Sequence, residues 1–241
     1  MPLPKSVAPL EDDRSVAVEQ ELQNFSYIVS HDLAASLRHM SEFSRLLVGD
    51  LGEDLTDRQR AFAERIAEAN EKCQLMMEQL LAFSRLQQKP LERVRQDATP
   101  ALQFAALKLD GALKINHAEL SIEPLGEVFA DQILFGQVLH HLLDNAIKFH
   151  KPNVPPRITV KPAHDGLFWR ARFIDNGVGV EPTHRDKAFW MFHRLHPEGA
   201  HLGVGAGLAI CRRIARRHGG EVEFLDCDDG ACVELSLPRQ G

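Results

Sequence analysis

The chain has 241 residues, of which 44% are hydrophobic and 26% charged, and its 28 Lys and Arg against 34 Asp and Glu give a net charge of -6. This composition predicts a globular protein of one large or two modest domains and excludes collagen-like, low-complexity and disulfide-stapled chains. The net negative charge disfavours nucleic acid and anionic lipid as partners.

Cysteine usage and hydropathy indicate a cytoplasmic protein. The four cysteines are scattered and form no Cys-x-x-Cys pair, which favours reduced thiols over a disulfide framework. Residues 1–15 lack the apolar segment of a signal peptide, and no run of about 18 apolar residues could cross a membrane. We therefore expect no membrane insertion in this chain and a flexible leader over residues 1–15.

A domain boundary is predicted near Gln87–Pro90. Between Leu10 and Lys89 the only helix breakers are Gly49 and Gly52, whereas Gly and Pro recur throughout the rest of the chain. Of the net charge of -6, five units fall in residues 1–90 and one in residues 91–241. We assign residues 16–89 to a helical domain and residues 90–241 to a second domain.

The first domain is predicted to be a hairpin of two long helices joined around Val48–Leu55. Thr56 and Gln59 have the spacing of a capping box, which marks a helix start. Apolar residues recur every three or four positions on both sides of the turn: Leu22, Phe25, Val29, Leu33, Met40, Phe43 and Leu47 before it, and Phe62, Ile66, Ala69, Cys73, Met76, Leu80 and Phe83 after it. Two helices cannot bury both stripes well, so we expect dimerisation into a four-helix bundle, with docking of the hairpin on the second domain as the alternative.

The second domain is predicted to be an α/β sandwich. A helix is expected in TPALQFAALKLDGAL, short apolar runs follow near LSIEPL and EVFAD, and a second helix is expected from Asp131 to His150. Strands are predicted at RITVKP, LFWRARFID, GEVEFLD and ACVELSLP, with a helix AGLAICRRIARRHGG between the second and the third. This order indicates helices on one face of a largely antiparallel sheet, and an α+β chain overall.

One histidine of the first helix lies off the apolar stripe. With Val29 at zero, His31 lies at about 200° on the helical wheel, away from the apolar positions. Such a residue is usually a solvated surface histidine. Asp32 follows directly, and a carboxylate beside an imidazole can hold its tautomer or accept a proton during nucleophilic attack.

Three separated segments of the second domain have the chemistry of a nucleotide site. Asn145 and Lys148 offer an amide oxygen for a hydrated Mg²⁺ and an ammonium for phosphate, although this segment taken alone is more typical of a solvated polar face. Asp175 ends a strand before two glycines, Gly177 and Gly179, where a carboxylate can accept from an amino group such as that of adenine. The spaced glycines of the segment 203–208 open a helix, whose free N–H groups suit phosphate oxygens.

In chain order these motifs resemble a known family. SHDL, DNAIKF, DNGVG and FHRLH with GVGAGLAICRRIARRHGG are similar to the H, N, G1, F and G2 boxes of bacterial sensor histidine kinases, in particular the phytochrome-like branch. The resemblance covers about residues 20–238. It implies a dimerisation and phosphotransfer hairpin followed by a Bergerat-type ATP-binding domain, the fold shared with gyrase, MutL and heat-shock chaperone ATPases.

The resemblance also implies residue roles. His31 would accept the phosphoryl group with Asp32 as its acid/base partner. Asn145 would ligate Mg²⁺, Lys148 would contact phosphate, and Asp175 would bind the adenine amino group. The remaining ATP-binding positions would be Gly177 and Gly179 on the adenine side, Gly203, Gly205, Gly207 and Leu208 near the phosphates, and Arg194 at a phosphate. Residues 180–202 would form a mobile lid that Phe189 and Phe192 dock when it closes.

The chain departs from the family pattern at three positions. Ser36 replaces a frequent proline, which puts a helix kink in doubt. Ala35 replaces a Thr or Asn that positions water, so we expect weak or absent phosphatase activity. His141 replaces a frequent asparagine one turn before Asn145, so we expect altered metal affinity.

Two further clusters have simpler interpretations. Histidines 184, 193, 196 and 201 fall within the lid at spacings that match no familiar zinc site, so lid histidines are favoured over a metal site. The arginines 212, 213, 216 and 217 are expected to form a solvated face.

The sequence therefore predicts an ATP-dependent protein-histidine kinase that passes a phosphoryl group from His31 to an aspartate of a response regulator. Its expected cofactors are ATP and Mg²⁺, and its expected partners are a second copy of the chain and a response regulator. The input signal would come from another chain or from a missing N-terminal segment. Two alternatives remain open: a dimeric adaptor without useful ATP turnover, and a kinase or ATPase of the same fold that acts on serine or on conformation.

Overall fold

The computed structural model describes residues 33–52, 55–86, 90–164, 166–195 and 203–240. Its contacts divide the chain into two compact units, Met1–Gln88 and Lys89–Gly241. The assignment of the first to phosphotransfer and of the second to ATP binding stays a prediction at this point.

The described part of the first unit contains two long helices. Helix α1 covers 33–51 and runs without a break through Ser36, and helix α2 covers Asp57–Arg85. The predicted capping box is confirmed at the start of α2, where the Thr56 hydroxyl accepts from the Gln59 amide and the Gln59 side chain accepts from the Thr56 amide. The connection predicted around Val48–Leu55 includes residues 53–54, which lie outside the described residues.

A buried amide ties the two helices together. The Nδ2 atom of Asn70 donates to the Leu37 carbonyl oxygen at 3.0 Å and to the Ser41 hydroxyl at 2.6 Å. Leu37 and Asn70 lie nearly the same number of residues from the turn, so the helices run antiparallel. Asn70 is 4% exposed, and its Oδ1 atom has no hydrogen-bond partner among the described residues.

The apolar stripes of the hairpin stay largely exposed in the single chain. On α1, Met40, Phe43 and Leu47 are 55–69% exposed, and on α2 Phe62 and Ile66 are each 49% exposed. These exposed apolar side chains form a surface that another helix or another chain could bury. The homodimer itself stays a prediction.

Among its described residues, the second unit contains seven strands in two sheets. They are β1 (Arg93–Asp97), β2 (Glu119–Ile122), β3 (Glu127–Asp131), β4 (Arg157–His164), β5 (Phe168–Asp175), β6 (Glu221–Leu225) and β7 (Cys232–Pro238). The main sheet has the order β2-β4-β5-β7-β6 and is antiparallel except for the β2–β4 pair, while β1 and β3 form a separate antiparallel pair. The predicted largely antiparallel sheet is therefore present.

The described strands are accompanied by four α-helices, α3 (Ala98–Lys108), α4 (Asp110–Ile115), α5 (Gln132–Lys148) and α6 (Gly207–Arg217), and by two 3-10 helices, Pro182–His184 and Lys187–Phe189. Every second side chain of β5 faces the same side of the sheet, and the three on that side, Trp169, Ala171 and Phe173, are buried. Phe135 of α5 meets Trp169 edge-on at 5.5 Å between ring centroids, in a geometry that favours aromatic pairs. The core lies between this sheet face and helices α5 and α6, so the α+β class and the sandwich are as predicted.

Three details differ from the sequence-based expectations. The single helix expected in TPALQFAALKLDGAL is two helices, because the chain turns at the buried Leu109. The helix expected from Asp131 to His150 is shorter, because Asp131 caps it from outside with hydrogen bonds to the amides of Ile133 and Leu134. Strand β1 was not predicted, since RVRQD carries a single apolar residue and is fixed by pairing with β3.

Candidate nucleotide site

Helix α5 brings the three predicted segments of the site together. The amide of Val178, in the loop after β5, donates to the carbonyl oxygen of Phe149 at the end of α5, at 2.9 Å. One side of α5 faces α6, because a Cβ atom on Gly207 would lie 3.4 Å from Nδ1 of His141. The DNGVG loop and the glycine-rich start of α6 therefore both adjoin α5.

The polar side of α5 carries Asn145 and Lys148. Asn145 is half-buried, and its Nδ2 atom is buried with no hydrogen-bond partner among the described residues. Such an unsatisfied group is costly unless a ligand or water meets it. The Lys148 ammonium is 2.5 Å from the Asp144 carboxylate, one turn earlier, so its charge is partly neutralised in this state.

His141 lies one turn before Asn145. Burial lowers its pKa to about 4, the neighbouring His140 and Lys148 also lower it, and Asp144 opposes them. The ring is therefore neutral at physiological pH. No hydrogen bond reaches either of its nitrogens from the described part of the chain.

Asp175 is held by the backbone of two segments. Its Oδ1 atom accepts from the Gly177 amide at 2.8 Å and from the Ala231 amide at 3.2 Å, while Oδ2 has no hydrogen bond within the described ranges. Burial raises the pKa of this carboxyl, and the two amides oppose the shift. The geometry leaves one oxygen available to accept a hydrogen bond from a ligand.

The glycines of the DNGVG loop are required by close contacts within the chain. A Cβ atom on Gly177 would overlap the Phe149 carbonyl oxygen and lie 2.8 Å from Oδ1 of Asp175. Gly179 has φ +70° and faces the Gly230 carbonyl oxygen, which its Cβ would approach to 2.7 Å. These residues fix the loop that carries Asp175.

Sequence reasoning missed Gly230. It lies in the turn between β6 and β7 with φ +68°, and a Cβ atom there would overlap the Asp175 carbonyl oxygen and lie 2.7 Å from the Gly177 amide nitrogen. The Asp-Asp-Gly turn signal at 228–230 was present in the sequence. The local sequence gave no sign that this turn contacts Asp175, which lies more than 50 positions earlier.

The glycine-rich segment ends at an uncapped helix start. Ala206 is the N-cap of α6 and provides no side-chain hydrogen bond to it, so the first amides of α6 are available to an anion. Gly205 has φ +76°, and its Cβ would lie 2.8 Å from the His193 carbonyl oxygen and 3.2 Å from Cγ of Arg194. Arg194 thus lies beside the glycine segment. Gly203 and Leu208 are the first and last residues of that segment.

Residues 180–195 are the described part of the predicted lid. Around Arg185 and Phe189 they pack against α6 and against residues at the end of β6. Phe189 is buried, with its ring centroid 5.5 Å from that of Phe224 and 4.5 Å from the Arg212 guanidinium. Arg185 pairs with Asp226 at 2.7 Å. Phe192 is half-buried at φ +62° and its amide donates to the Gly205 carbonyl oxygen.

The expectation of a solvated arginine face on α6 is only partly correct. Arg216 is exposed, but the Nε atoms of Arg212 and Arg216 each donate to Glu221 at 2.9 Å. Arg212 also lies over the Phe189 ring. This pairing holds the lid and β6 to α6, so these arginines have a structural role that the sequence did not suggest.

Some predicted residues lie outside the described ranges: His31, Asp32, and the lid histidines 196 and 201. Within the described ranges, no group of three or more His, Cys, Asp and Glu side chains could hold a metal ion. No described helix has both the length and the apolar character needed to span a bilayer.

Residues 130–241 match the family described as Histidine kinase-, DNA gyrase B-, and HSP90-like ATPase. Over 220 residues the chain is 28% identical to the phytochrome-like protein Cph1 of Synechocystis sp., an alignment that covers 90% of this chain and 29% of that protein. These findings identify the chain as a sensor histidine kinase transmitter region. The chain spans less than a third of the cyanobacterial phytochromes it matches.

Solved structures of histidine kinases share the fold of this transmitter region. Full-length ShkA in complex with AMPPNP has a TM-score of 0.64 at 24% identity, covering 89% of this chain and 45% of that one. Histidine kinase ThkA in complex with the response regulator TrrA has a TM-score of 0.65 at 16% identity, covering 98% and 68%. The predicted family and the Bergerat-type fold are confirmed, whereas the assignment of the whole second unit to ATP binding stays a prediction.

Proposed function

We propose that the transmitter region is an ATP-dependent protein-histidine kinase that phosphorylates His31. ATP bound by the second unit is the phosphoryl donor. The phosphoryl group then passes from His31 to an aspartate of a response regulator.

The convergence of unsatisfied groups from three distant segments carries this proposal. Asn145 has a buried amide nitrogen without a partner, Asp175 has one carboxylate oxygen without a hydrogen bond within the described ranges, and α6 begins without a side-chain cap. An adenine amino group, a triphosphate and its hydration shell would satisfy all three. A purely structural site has no reason to leave them unmet together.

The proposed pose of ATP follows from these groups. The adenine amino group donates to Asp175, beside Gly177 and Gly179. The triphosphate lies at the start of α6, near Gly203, Gly205, Gly207 and Leu208, where helix amides attract anions. Lys148 and Arg194 add positive charge for the phosphates, which requires Lys148 to exchange Asp144 for phosphate.

The donor set fits a magnesium ion that arrives with the nucleotide. Asn145 offers one amide oxygen if its amide turns over, and the described residues form no acidic cage. Mg²⁺ is usually held by few protein oxygens together with water and phosphate. When bound, the ion offsets phosphate charge during transfer.

The chemistry at His31 is an in-line substitution at phosphorus. A lone pair of its neutral imidazole forms a new N–P bond to the γ-phosphorus, and the bond from that phosphorus to the oxygen bridging to ADP breaks. The other ring nitrogen then carries a positive N–H, which Asp32 stabilises or deprotonates. Positioning and exclusion of water account for most of the rate in such transfers.

The finer features of the proposal concern partners and location. The exposed stripes around Phe43 and Phe62 suit a second copy of the chain in a four-helix bundle. A response regulator is the expected phosphoryl acceptor, by analogy with the ThkA–TrrA complex. We expect a cytoplasmic transmitter that receives its signal from another chain or from a preceding segment.

Labelling with γ-³²P-ATP tests the phosphorylation site. Wild-type protein should take up a label that is lost in acid and kept in alkali, as a phosphohistidine is, and His31→Gln should take up none. His39→Gln is the matched control, because His39 is an exposed histidine of α1 that lies only eight residues further along the chain, and its loss should leave the label in place. Label that persists in His31→Gln, or that survives acid, refutes the proposal.

A further inference from the structure

The position of His141 suggests a role beyond packing. His141 lies one helical turn before Asn145, so the two side chains share a face of α5. Its ring also lies against the first residue of α6, at 3.4 Å from where a Gly207 Cβ would be. The imidazole is therefore at the phosphate end of the proposed nucleotide site.

The ring nitrogens of His141 are available to a ligand. Neither has a hydrogen bond within the described ranges. The adjacent His140 ring is 5.9 Å away between centroids in an edge-on arrangement. A residue serving only as a spacer would not need two unsatisfied nitrogens at a ligand site.

Imidazole nitrogen and amide oxygen prefer different cations. Mg²⁺ selects oxygen donors and tolerates few departures from them, whereas the later divalent metals accept imidazole readily. Mn²⁺ binds both oxygen and nitrogen donors and is similar enough to Mg²⁺ to accompany a triphosphate. A nitrogen donor beside Asn145 therefore changes the relative affinity for the two ions.

We propose that His141 is a metal-selecting residue of this site, which supplies a nitrogen ligand beside Asn145 and favours Mn²⁺ over Mg²⁺ on the bound nucleotide. This inference rests on the proposed ATP binding of the second unit. Because the described residues contain no cluster of three or more His, Cys, Asp and Glu ligands, His141 and Asn145 alone cannot hold the ion firmly. Metal binding should accordingly depend on the nucleotide.

Calorimetry on the full chain measures the selectivity. The probe is the analogue AMPPCP, which carries no nitrogen in its triphosphate, titrated in the presence of Mg²⁺ or of Mn²⁺. His141→Asn should lower the affinity ratio of Mn²⁺ over Mg²⁺ by about tenfold or more, the range expected when a metal site loses a contributing group. His117→Asn is the control, because His117 is exposed with φ +51°, a conformation that Asn tolerates, and the ratio should not change.

Pulsed electron paramagnetic resonance detects the ligand directly and needs no variant to fold. In the wild-type Mn²⁺–AMPPCP complex, the electron spin echo should show modulation from a coordinated imidazole nitrogen, and ¹⁵N labelling of the protein should change that modulation. A complex that forms without nitrogen coupling overturns the role of His141 and leaves nucleotide binding intact. Failure to bind AMPPCP with either metal overturns both the nucleotide site and this inference.

Discussion

The fit of Gly177 against the end of α5 gives a sharp test of the site. In Gly177→Ala the new methyl would be 2.8 Å from Oδ1 of Asp175 and closer still to the Phe149 carbonyl oxygen. Comfortable carbon contacts lie near ~3.5 Å, so the loop must retreat from the Phe149 carbonyl oxygen by roughly 1 Å. The Asp175 carboxylate and the Val178 amide move with it.

Two hydrogen bonds set the magnitude of this change. The bond from the Gly177 amide to the Asp175 carboxylate involves a charged acceptor and contributes about 1.5–3 kcal/mol, and the bond from Val178 to Phe149 contributes about 0.5–1.5 kcal/mol. Weakening both should lower the free energy of unfolding of the second unit by about 2–4 kcal/mol. Displacement of Asp175 should weaken nucleotide binding at least ~10-fold, a change of about 1.4 kcal/mol.

Urea unfolding followed by tryptophan fluorescence measures the first effect, because both tryptophans, Trp169 and Trp190, belong to the second unit. Calorimetry with AMPPNP measures the second. Gly136→Ala is the control: Gly136 lies within α5 and a Cβ there meets nothing within 4 Å, so alanine should add about 0.5–1 kcal/mol of stability and leave affinity unchanged. A Gly177→Ala protein that binds AMPPNP as tightly as wild type refutes the reasoning.

Three further predictions concern the adenine contact, a buried histidine and the lid. Asp175→Asn should weaken AMPPNP binding about 10- to 100-fold by removing a charged acceptor, whereas Asp229→Asn, at an exposed carboxylate nearby, should change it less than about threefold. Burial and the nearby Arg93 lower the pKa of His218, whose ring accepts from the Asp131 amide at 3.0 Å; the urea midpoint should therefore fall as pH drops below about 6.5, where the unfolded chain binds more protons. Phe189→Ala should speed hydrogen exchange of the amides in 182–190, because the lid loses its contacts with α6 and β6.

Each of these predictions has a distinct contrary outcome. Equal affinity losses in Asp175→Asn and Asp229→Asn would mean that overall charge, not a specific contact, governs binding. His218→Gln should reduce the fall in urea midpoint between pH 7.5 and 5.5, and an unchanged slope would remove His218 as the cause. Unaltered exchange in Phe189→Ala would mean that other contacts, such as the Arg185–Asp226 pair and the Phe192–Gly205 hydrogen bond, are enough to hold the lid.

Local chemistry made part of the fold predictable. The capping box of Thr56 and Gln59 needs only residues three positions apart, and the alternation in LFWRARFID reports which side of β5 meets the core. Asp175 was placed correctly at the end of β5 because the switch from strand to glycines is itself local. These features could be read without knowing the rest of the chain.

Contacts between distant segments were not predictable in the same way. Strand β1 has a weak pattern and exists through its pairing with β3. Gly230 is needed because the β6–β7 turn lies in close contact with the backbone of Asp175. The structural role of Arg212 depends on its contacts with Phe189 and Glu221, which lie elsewhere in the sequence. In the same way, Gly205 was assigned to a phosphate, whereas a contact with His193 within the chain already requires it.

The buried Asn70 has a mechanical consequence for the hairpin. A shift of α1 along α2 by one helical turn would displace facing atoms by about 5.4 Å and break both hydrogen bonds of the Asn70 amide. The apolar contacts of the hairpin are less selective, because one aliphatic side chain can replace another at the same height. Asn70 therefore restricts axial sliding at a fixed level of the hairpin, and a signal that travels along these helices has to bend or rotate them about that level.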